Sequence, residues 1–399
     1  MKKFIVAAAA IVAALAATVA PAQASSGSDE LWDYRPASIS GTYTPVVGNF
    51  AGDPSDDILW YAPGTGVDTL WTGAEASRGT DAFGKVPLRI NGTYTPIVGD
   101  FAGDGYDDIL WYAPGPAPDY LWVSVAGGAT PFESRSMSVS GTYRPVKLAD
   151  RRYVARDGVD GKDDIFWYAP GSAPDSVWHF SDTGDGTRTS VNAKLTATVT
   201  PVVGDWNGDQ LEDLVLYGPG GTSDAKWLAN PDGTFQRSPL SINGTYQPAT
   251  VLGDPTAPDA TRYDAILWYG GAAGAENYWR STGTSFTSVY VEQSPVDAAP
   301  FTFLPGTALL YTANPDPEGV FLDGPDGAFF ANASDTHAVD SGFRPLIGDF
   351  DWDGFPDVFW YGPGSRVDQL WYFSSSAPSP GATGWRSALR PTPREVASR

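Results

Sequence analysis

The sequence predicts an all-β fold, a seven-bladed β-propeller of four-stranded blades that is closed by an N-terminal strand. The first observation is a repeat, in which GTYTPVVGNFAGDPSDDILWYAPG at 41–64 returns as GTYTPIVGDFAGDGYDDILWYAPG at 92–115. The second is a period of about fifty residues with several short aromatic runs per copy, which is typical of propeller blades. The third is that no part of the chain after residue 24 shows sustained helical periodicity.

Further copies of the repeat run through the rest of the chain. Clear ones lie at 141–171, 200–220, 244–271 and 343–364, and a divergent one without the Gly-Thr-Tyr sequence lies at 300–315. With the first two copies they make seven units. Each unit is too small to bury its own apolar face, so we expect neighbouring units to stack and form the core between them.

Each unit divides into four predicted strands. In the second unit they cover 95–101, 107–114, 119–124 and 132–140, all rich in strand-favouring aromatic or β-branched residues. A Pro-Gly pair, such as Pro114-Gly115, turns the chain between the second and third strands.

The segment 32–40, which precedes the first Gly-Thr-Tyr, matches the fourth strand of the other units. We therefore predict that it completes the last blade and removes the exposed sheet edges, with 384–390 as the alternative closing strand. On this basis the propeller spans 25–375, and 376–399 is a tail rich in Ser, Pro and Gly.

The first 24 residues are typical of a cleaved signal peptide. Lys2 and Lys3 precede an apolar run at 4–20, and Ala22-Gln23-Ala24 forms a small-residue cleavage site. The alternative, a membrane anchor, is disfavoured because the run is short and rich in alanine. We expect a secreted protein, whose lack of cysteine means that core size, ring closure or bound metal must stabilise it.

The net charge of −22 disfavours nucleic acid and anionic lipid as partners, since both would be repelled. Much of the acid lies in repeated loops between the first and second strands. In the seventh unit Asp349, Asp351, Asp353 and Asp357 occupy positions 1, 3, 5 and 9 of one loop, and Gly354 at position 6 allows a tight turn. Together with the backbone carbonyl of Phe355 they offer the oxygen ligands of a hard cation.

Three other units keep parts of this spacing. Calcium fits such flexible, all-oxygen sets better than magnesium or zinc, and we expect about two to four ions. The alternative is an Asp-rich turn capped by its own side chains. Units three, five and six lose the spacing. The predicted ligands are Asp205, Asn207, Asp209, Leu211 (carbonyl) and Asp213 in unit four, Asp100, Asp104 and Asp108 in unit two, and Asn49, Asp53 and Asp57 in unit one.

The G-D-F-x-x-D-G-x-x-D pattern of these loops resembles the FG-GAP/VCBS repeat of integrin alpha chains and many secreted bacterial proteins. The resemblance covers most of the chain after the signal peptide. It implies a seven-bladed propeller with calcium in the same loops, where the ion serves structure more often than chemistry.

An acidic residue also precedes an aromatic residue at each predicted third strand. These pairs have two interpretations: a turn acid beside an aromatic packed between blades, or a ring of sugar sites with an aromatic platform and a carboxylate. The pairs are Asp68 with Trp71, Asp119 with Trp122, Asp175 with Trp178, Asp224 with Trp227, Glu276 with Trp279, Glu318 with Phe321, and Asp368 with Trp371.

These features favour a secreted binding protein that recognises a glycan or cell-wall polysaccharide through repeated sites. The alternative is a scaffold for protein–protein adhesion. Catalysis is disfavoured, because two histidines offer little acid–base chemistry and no Gly-x-Ser-x-Gly motif occurs. Carboxylate-only glycoside hydrolysis is the remaining enzymatic alternative.

Overall fold

The computed structural model describes most of the repeat region. The described residues are 32–73, 83–127, 130–150, 161–170, 174–180, 188–192, 195, 198–220, 222–251, 263–270, 277–289, 291–292, 301–303, 309–312, 319–324, 327–332, 342–352 and 357–373. Within them the chain forms strands and turns, and no helix is long and apolar enough to span a membrane.

The chain is a β-propeller with six four-stranded antiparallel blades, which we label A to F. Blade A consists of β2 (Thr44–Gly48), β3 (Asp57–Tyr61), β4 (Asp68–Thr72) and β5 (Gly84–Leu88). Blade B consists of β6 (Thr95–Gly99), β7 (Asp108–Tyr112), β8 (Asp119–Ser124) and β9 (Phe132–Met137). Blade C consists of β10 (Arg144–Leu148), β11 (Asp164–Tyr168), β12 (Ser176–Phe180) and β13 (Arg188–Asn192).

The remaining blades follow the same order. Blade D consists of β14 (Thr200–Gly204), β15 (Asp213–Tyr217), β16 (Asp224–Ala229) and β17 (Phe235–Leu240). Blade E consists of β18 (Gln247–Val251), β19 (Ala265–Tyr269), β20 (Asn277–Ser281) and β21 (Phe286–Val289). Blade F consists of β27 (Arg344–Gly348), β28 (Asp357–Tyr361), β29 (Asp368–Phe373) and β1 (Trp32–Ala37).

The prediction of seven four-stranded blades is wrong, because the segment predicted as the sixth unit does not form one. It forms a five-stranded sheet in which β22 runs parallel to β26, whereas every strand pair in blades A to F is antiparallel. This segment lacks the Gly-Thr-Tyr sequence, the loop acids and the Trp-Tyr pair that join the blades to one another. Its strands are β22 (Val291–Glu292), β23 (Phe301–Phe303), β24 (Leu309–Thr312), β25 (Gly319–Gly324) and β26 (Gly327–Asn332).

The predicted N-terminal closing strand is confirmed. β1 pairs with β29 from Trp32 opposite Phe373 to Ala37 opposite Asp368, and it supplies the fourth strand of blade F. The alternative closing segment 384–390, the signal peptide and the tail lie outside the described residues.

The core lies in layers between adjacent blades. Every residue of β3, β7, β15, β19 and β28 is buried, which means that both faces of each blade are covered at its second strand. Trp60 packs edge-on against Trp71 of the same blade at 5.4 Å between ring centroids, while Tyr61 packs against Trp111 of the next blade at 5.0 Å. Full burial of such side chains contributes about 1.5–3 kcal/mol each.

A link between the end of one blade and the start of the next explains the Gly-Thr-Tyr sequence. The Tyr61 hydroxyl donates to the Gly92 carbonyl at 2.8 Å and accepts from the Tyr94 N–H at 2.9 Å. Gly92 has a φ of 139°, and a Cβ there would lie 2.5 Å from the Tyr94 ring, so only glycine fits. The same link recurs through Tyr112, Tyr217 and Tyr361, the last of which joins blade F to blade A.

A second link lies at the other end of the second strand. The Asp107 N–H donates to the Asn49 carbonyl at 2.8 Å, and the Asp107 carboxylate accepts from the Asn49 N–H at 2.9 Å. This reciprocal pair ties the loop of one blade to the next blade. Its acid is Asp107 at A/B, Asp163 at B/C, Glu212 at C/D, Asp264 at D/E and Asp56 at F/A.

Candidate functional site

The predicted metal loops lie between the first and second strands of blades A, B, D and F. In blade B the Asp100 carboxylate accepts from the N–H groups of Gly103, Asp104 and Gly105 at 2.6, 3.1 and 2.8 Å. Left-handed backbone at Gly103 and Gly105 permits this tight turn. The first predicted ligand therefore shapes the loop as well as offering oxygens to its interior.

Blade D forms the same turn with one difference. Asp205 accepts from the N–H groups of Gly208, Asp209 and Gln210 at 2.6, 3.2 and 2.9 Å. Gln210 stands at the position of Gly105 and still has a φ of 75°, a conformation that non-glycine residues rarely adopt. Asn207 and Asp209 face each other, with the Asn207 amide donating to Asp209 at 2.8 Å.

Blade F brings three of its predicted ligands together. Oxygens of Asp349, Asp351 and Asp357 all lie within 4.8 Å of one another, and two of these side chains are buried. Asp353 and Phe355 lie outside the described residues. Three carboxylates this close together offer oxygen ligands of the kind that a hard divalent cation prefers.

Blade A carries an observation that fits a cation independently of the acidic cluster. The Asn49 Oδ1 atom is buried and accepts no hydrogen bond within the described structure, although buried polar atoms are normally satisfied. Asn49 occupies the first ligand position, which Asp100, Asp205 and Asp349 hold in the other blades. A cation would supply the missing partner, so the residues present fit the group.

The last predicted ligand of each loop is fully buried and already bound to backbone. Asp57 accepts from the Phe50 and Ala51 N–H groups through one oxygen and from the Gly73 N–H through the other. Asp108, Asp213 and Asp357 make equivalent bonds. Burial raises the pKa of Asp57 and of Asp108 to about 8. A nearby cation would favour the ionised form of such groups.

The predicted sugar-binding acids bind backbone N–H groups of their own blade and of the segment that follows its fourth strand. Asp119 accepts from the Ala113 N–H at 2.8 Å and from the Val139 N–H at 2.6 Å, and it is 1% exposed. Four of the other acids make the same two kinds of bond and are also buried. They are Asp68, Asp175, Asp224 and Asp368.

Their aromatic partners pack in the core. Trp71, Trp178, Trp227 and Trp371 are buried, and Trp122 is half-buried. Lys85 lies over the Trp71 ring at 4.4 Å, and Arg237 over the Trp227 ring at 4.0 Å, so protein cations already cover these faces. The geometry favours the packing interpretation of the Asp and Trp pairs over the ring of sugar sites.

The sequence did not predict a small cavity between blades C and D, which has room for about one water molecule. Leu148 and Asp150 of blade C and part of the hairpin of blade D line it, and His179, Asp164 and Phe235 are also among its walls. His179 Nδ1 lies 2.9 Å from Asp164 Oδ2, which orients the imidazole ring. The sequence did distinguish this place, because His179 stands where blades A, B and D have Thr72, Val123 and Leu228.

Comparison with known proteins gives no family. No family model matches the chain, and no curated protein matches it in sequence. Similar solved structures include a lectin from Agrocybe aegerita, titled for specific recognition of non-reducing terminal N-acetylglucosamine. It is 14% identical, the match covers 88% of this chain and 84% of that one, and the TM-score is 0.48. A protein from Lactobacillus plantarum is 11% identical over 83% of this chain and 99% of that one, with a TM-score of 0.45.

Proposed function

We propose that the protein is a secreted, calcium-stabilised β-propeller of the FG-GAP/VCBS type that binds carbohydrate. The observation that carries the calcium part is the set of oxygen-lined loops, in which blade F places three carboxylates within 4.8 Å of one another. The buried, unsatisfied Asn49 Oδ1 supports the same assignment in blade A. Secretion rests on the signal-peptide pattern at 1–24.

Calcium would stabilise the fold and would take no part in a chemical reaction. Asp349, Asp351 and Asp357 would hold the ion in blade F, and Asp205, Asn207 and Asp209 in blade D. The ion would neutralise carboxylates that burial otherwise penalises. Because each loop is also tied to the next blade by the reciprocal acid link, ordering a loop stabilises a blade junction.

Carbohydrate is the proposed ligand class for physical reasons. The strongly negative chain disfavours anionic polymers, whereas neutral sugars are indifferent to net charge. A ring of repeated blades offers several equivalent surfaces, so a repetitive glycan would be bound with avidity.

Removal of calcium tests the metal part. A ligand that binds only the native state at 100 times its Kd stabilises it by about 2.7 kcal/mol, so chelation should lower the melting temperature of the chain without residues 1–24. Asp351→Ala should weaken one calcium site in calorimetric titration and spare the others, because it removes one of three converging carboxylates. Ala51 at the same position of blade A indicates that alanine is compatible with the fold of the loop. The exposed acid Asp232 provides the control variant, Asp232→Ala, which should keep the full stoichiometry. An unchanged melt in chelator would contradict the calcium assignment.

A glycan and polysaccharide screen in calcium, repeated in chelator, tests the carbohydrate part. We expect saturable binding to one sugar class that the free sugar competes. A folded protein that binds none of the glycans would contradict this part and favour the scaffold for protein partners.

A further inference from the structure

Two segments of the chain consist of the same five residues, Ile-Asn-Gly-Thr-Tyr, at 90–94 and at 242–246. Each lies just before the first strand of its blade, blade B and blade E, and each contains one Asn-Gly step. Asn91 and Asn243 are both exposed, and the glycines that follow them have similar φ values, 139° at Gly92 and 128° at Gly244. The two steps therefore differ in their tertiary surroundings and not in their local sequence.

An Asn-Gly step is where an asparagine side chain most readily loses its amide. The glycine nitrogen, after losing its proton to water or hydroxide, attacks the asparagine Cγ. A C–N bond forms and ammonia leaves, which gives a five-membered succinimide ring. Water then opens the ring at either carbonyl, and the product is aspartate or isoaspartate, in which the main chain contains one additional carbon. Glycine favours the attack because it has no side chain, but its N–H must first give up any hydrogen bond that it donates.

The backbone nitrogen of Gly92 is held in a hydrogen bond. Its N–H donates to the Gly64 carbonyl at 3.1 Å, and the Gly64 N–H donates back to the Gly92 carbonyl at 2.6 Å. The Tyr94 hydroxyl also donates to the Asn91 carbonyl at 3.4 Å. Attack by Gly92 on Asn91 therefore requires Gly92 and Gly64 to separate first, which is a local opening of the fold.

The backbone nitrogen of Gly244 has no such bond. Its N–H donates to none of the residues that the structure describes, and one bond joins Gly244 to Gly220, from the Gly220 N–H to the Gly244 carbonyl at 3.3 Å. The hydroxyl of Tyr246, which corresponds to Tyr94, accepts from the Asn277 amide at 3.3 Å. The Gly244 nitrogen can therefore attack without a prior opening of the junction.

The third Asn-Gly step of the sequence, at 207–208, is protected as well. In this loop of blade D the Gly208 N–H donates to Asp205 at 2.6 Å, and the Asn207 side chain donates to Asp209 at 2.8 Å. Among the three steps, Asn243-Gly244 is the one that combines an exposed asparagine with a glycine N–H that donates to none of the described residues.

We propose that Asn243 is a site of spontaneous deamidation and that its conversion to isoaspartate weakens the junction between blades D and E. The Gly244 carbonyl accepts from the Tyr217 hydroxyl at 3.0 Å, and that hydroxyl accepts from the Tyr246 N–H at 2.8 Å. An additional main-chain carbon directly before Gly244 displaces the residue that anchors Tyr217. Both products also add a negative charge to a chain whose net charge is already −22.

Ageing of the purified protein at neutral pH tests the rates. Peptide mapping by mass spectrometry measures replacement of the side-chain amide by a hydroxyl, and isoaspartyl methyltransferase labels the isoaspartate. We expect Asn243 to convert about ten times faster than Asn91, because Gly92 must first break its hydrogen bond. In denaturant the two identical segments should react at the same rate. Equal rates in the folded protein, or faster conversion of Asn91, would overturn the assignment.

The melting temperature of the aged protein tests the effect on the junction. Asn243→Ser cannot deamidate, and serine already stands at this position as Ser40 and Ser140. Freshly prepared Asn243→Asp carries the added charge with a normal main chain. We expect ageing to lower the melting temperature of the wild-type protein and of Asn91→Ser, the matched variant in blade B. Aged Asn243→Ser and fresh Asn243→Asp should melt as fresh wild-type protein does.

Two results would overturn the second part of the proposal. One is a constant melting temperature of the wild-type protein after most of Asn243 has become isoaspartate. The other is an equal loss of stability in aged Asn243→Ser, which would assign the effect of ageing to another residue.

Discussion

The junction between blades B and C contains an aromatic stack, whereas the junction between blades C and D has an aspartate at the equivalent position. At the first, Phe101 of blade B stacks on Phe180 of blade C at 4.9 Å. At the second, Asp150 takes the place of the aromatic residue. The same repeat thus has a buried ring at one junction and a carboxylate at the next.

This difference shows that blade attachment does not depend on the buried aromatic ring. The C/D junction keeps its reciprocal acid link through Glu212 and Ala149, and the Tyr168 hydroxyl still accepts the Val199 N–H at 2.9 Å. Two residues at the end of the first strand, Leu148 and Asp150, distinguish it from the junctions that contain the ring. A repeat array can therefore change a buried residue at one junction without losing the hydrogen bonds that join the blades.

The largest expected effect tests whether the buried aromatic ring stabilises its junction. Phe101→Ala removes a buried ring at the B/C junction and should lower the free energy of unfolding by about 3–5 kcal/mol. Asp150→Ala, the matched change at the C/D junction, should lower it by about 1 kcal/mol or less. Urea unfolding followed by tryptophan fluorescence measures both. Equal losses would mean that Asp150 contributes as much to the stability of its junction as Phe101 does.

A smaller effect tests whether the acids at the start of the third strand stabilise blades B and C alike. Asp119→Ala in blade B and Asp175→Ala in blade C each leave two backbone N–H groups without their acceptor. Each change should lower the free energy of unfolding by about 2–4 kcal/mol. Asp232→Ala, at an exposed turn, is the control. If sugar affinity fell in both variants while stability stayed unchanged, the acids would be ligand-binding groups and not structural ones.

The smallest expected effect extends the paired comparison to the metal loops. Trp352 is 59% exposed and has a φ of 58°, at a position where Gly52, Gly103 and Gly208 stand in the other loops. Trp352→Gly should raise the free energy of unfolding by about 1 kcal/mol, because a non-glycine residue in left-handed backbone is strained. Gly103→Ala should lower it by a similar amount. A loss of stability in Trp352→Gly would show that the tryptophan makes a contact that outweighs its strain.

Much of the fold could be predicted from the sequence. The repeat of Gly-Thr-Tyr and of the aromatic second strand indicated blades, and the similarity of 32–40 to a fourth strand indicated the closing strand of blade F. The count of blades could not be predicted, because the divergent segment near 300 kept the spacing of a unit without the residues that make its links. The spacing of the repeat gives only the length of each unit, whereas formation of a blade depends on which strands can hydrogen-bond to one another.

The candidate site was predictable only in part. The loop acids followed from their spacing, because ligand geometry is encoded locally within nine residues. The roles of Asp68, Asp119 and their equivalents were ambiguous. The same Asp and Trp pattern is expected whether the carboxylate faces solvent and a ligand or accepts hydrogen bonds from backbone N–H groups. Burial resolves that ambiguity, and burial is a property of the assembled ring.

The sequence by itself determined the repeat, the all-β class, the closing strand and the loops that offer oxygen ligands, since these depend on residues close together in the chain. Only the tertiary structure decided that there are six four-stranded blades and that the acids of the Asp and Trp pairs are buried. Burial depends on residues that are distant in the chain, because a blade is covered only once its neighbours pack against it. No local sequence pattern contains that information.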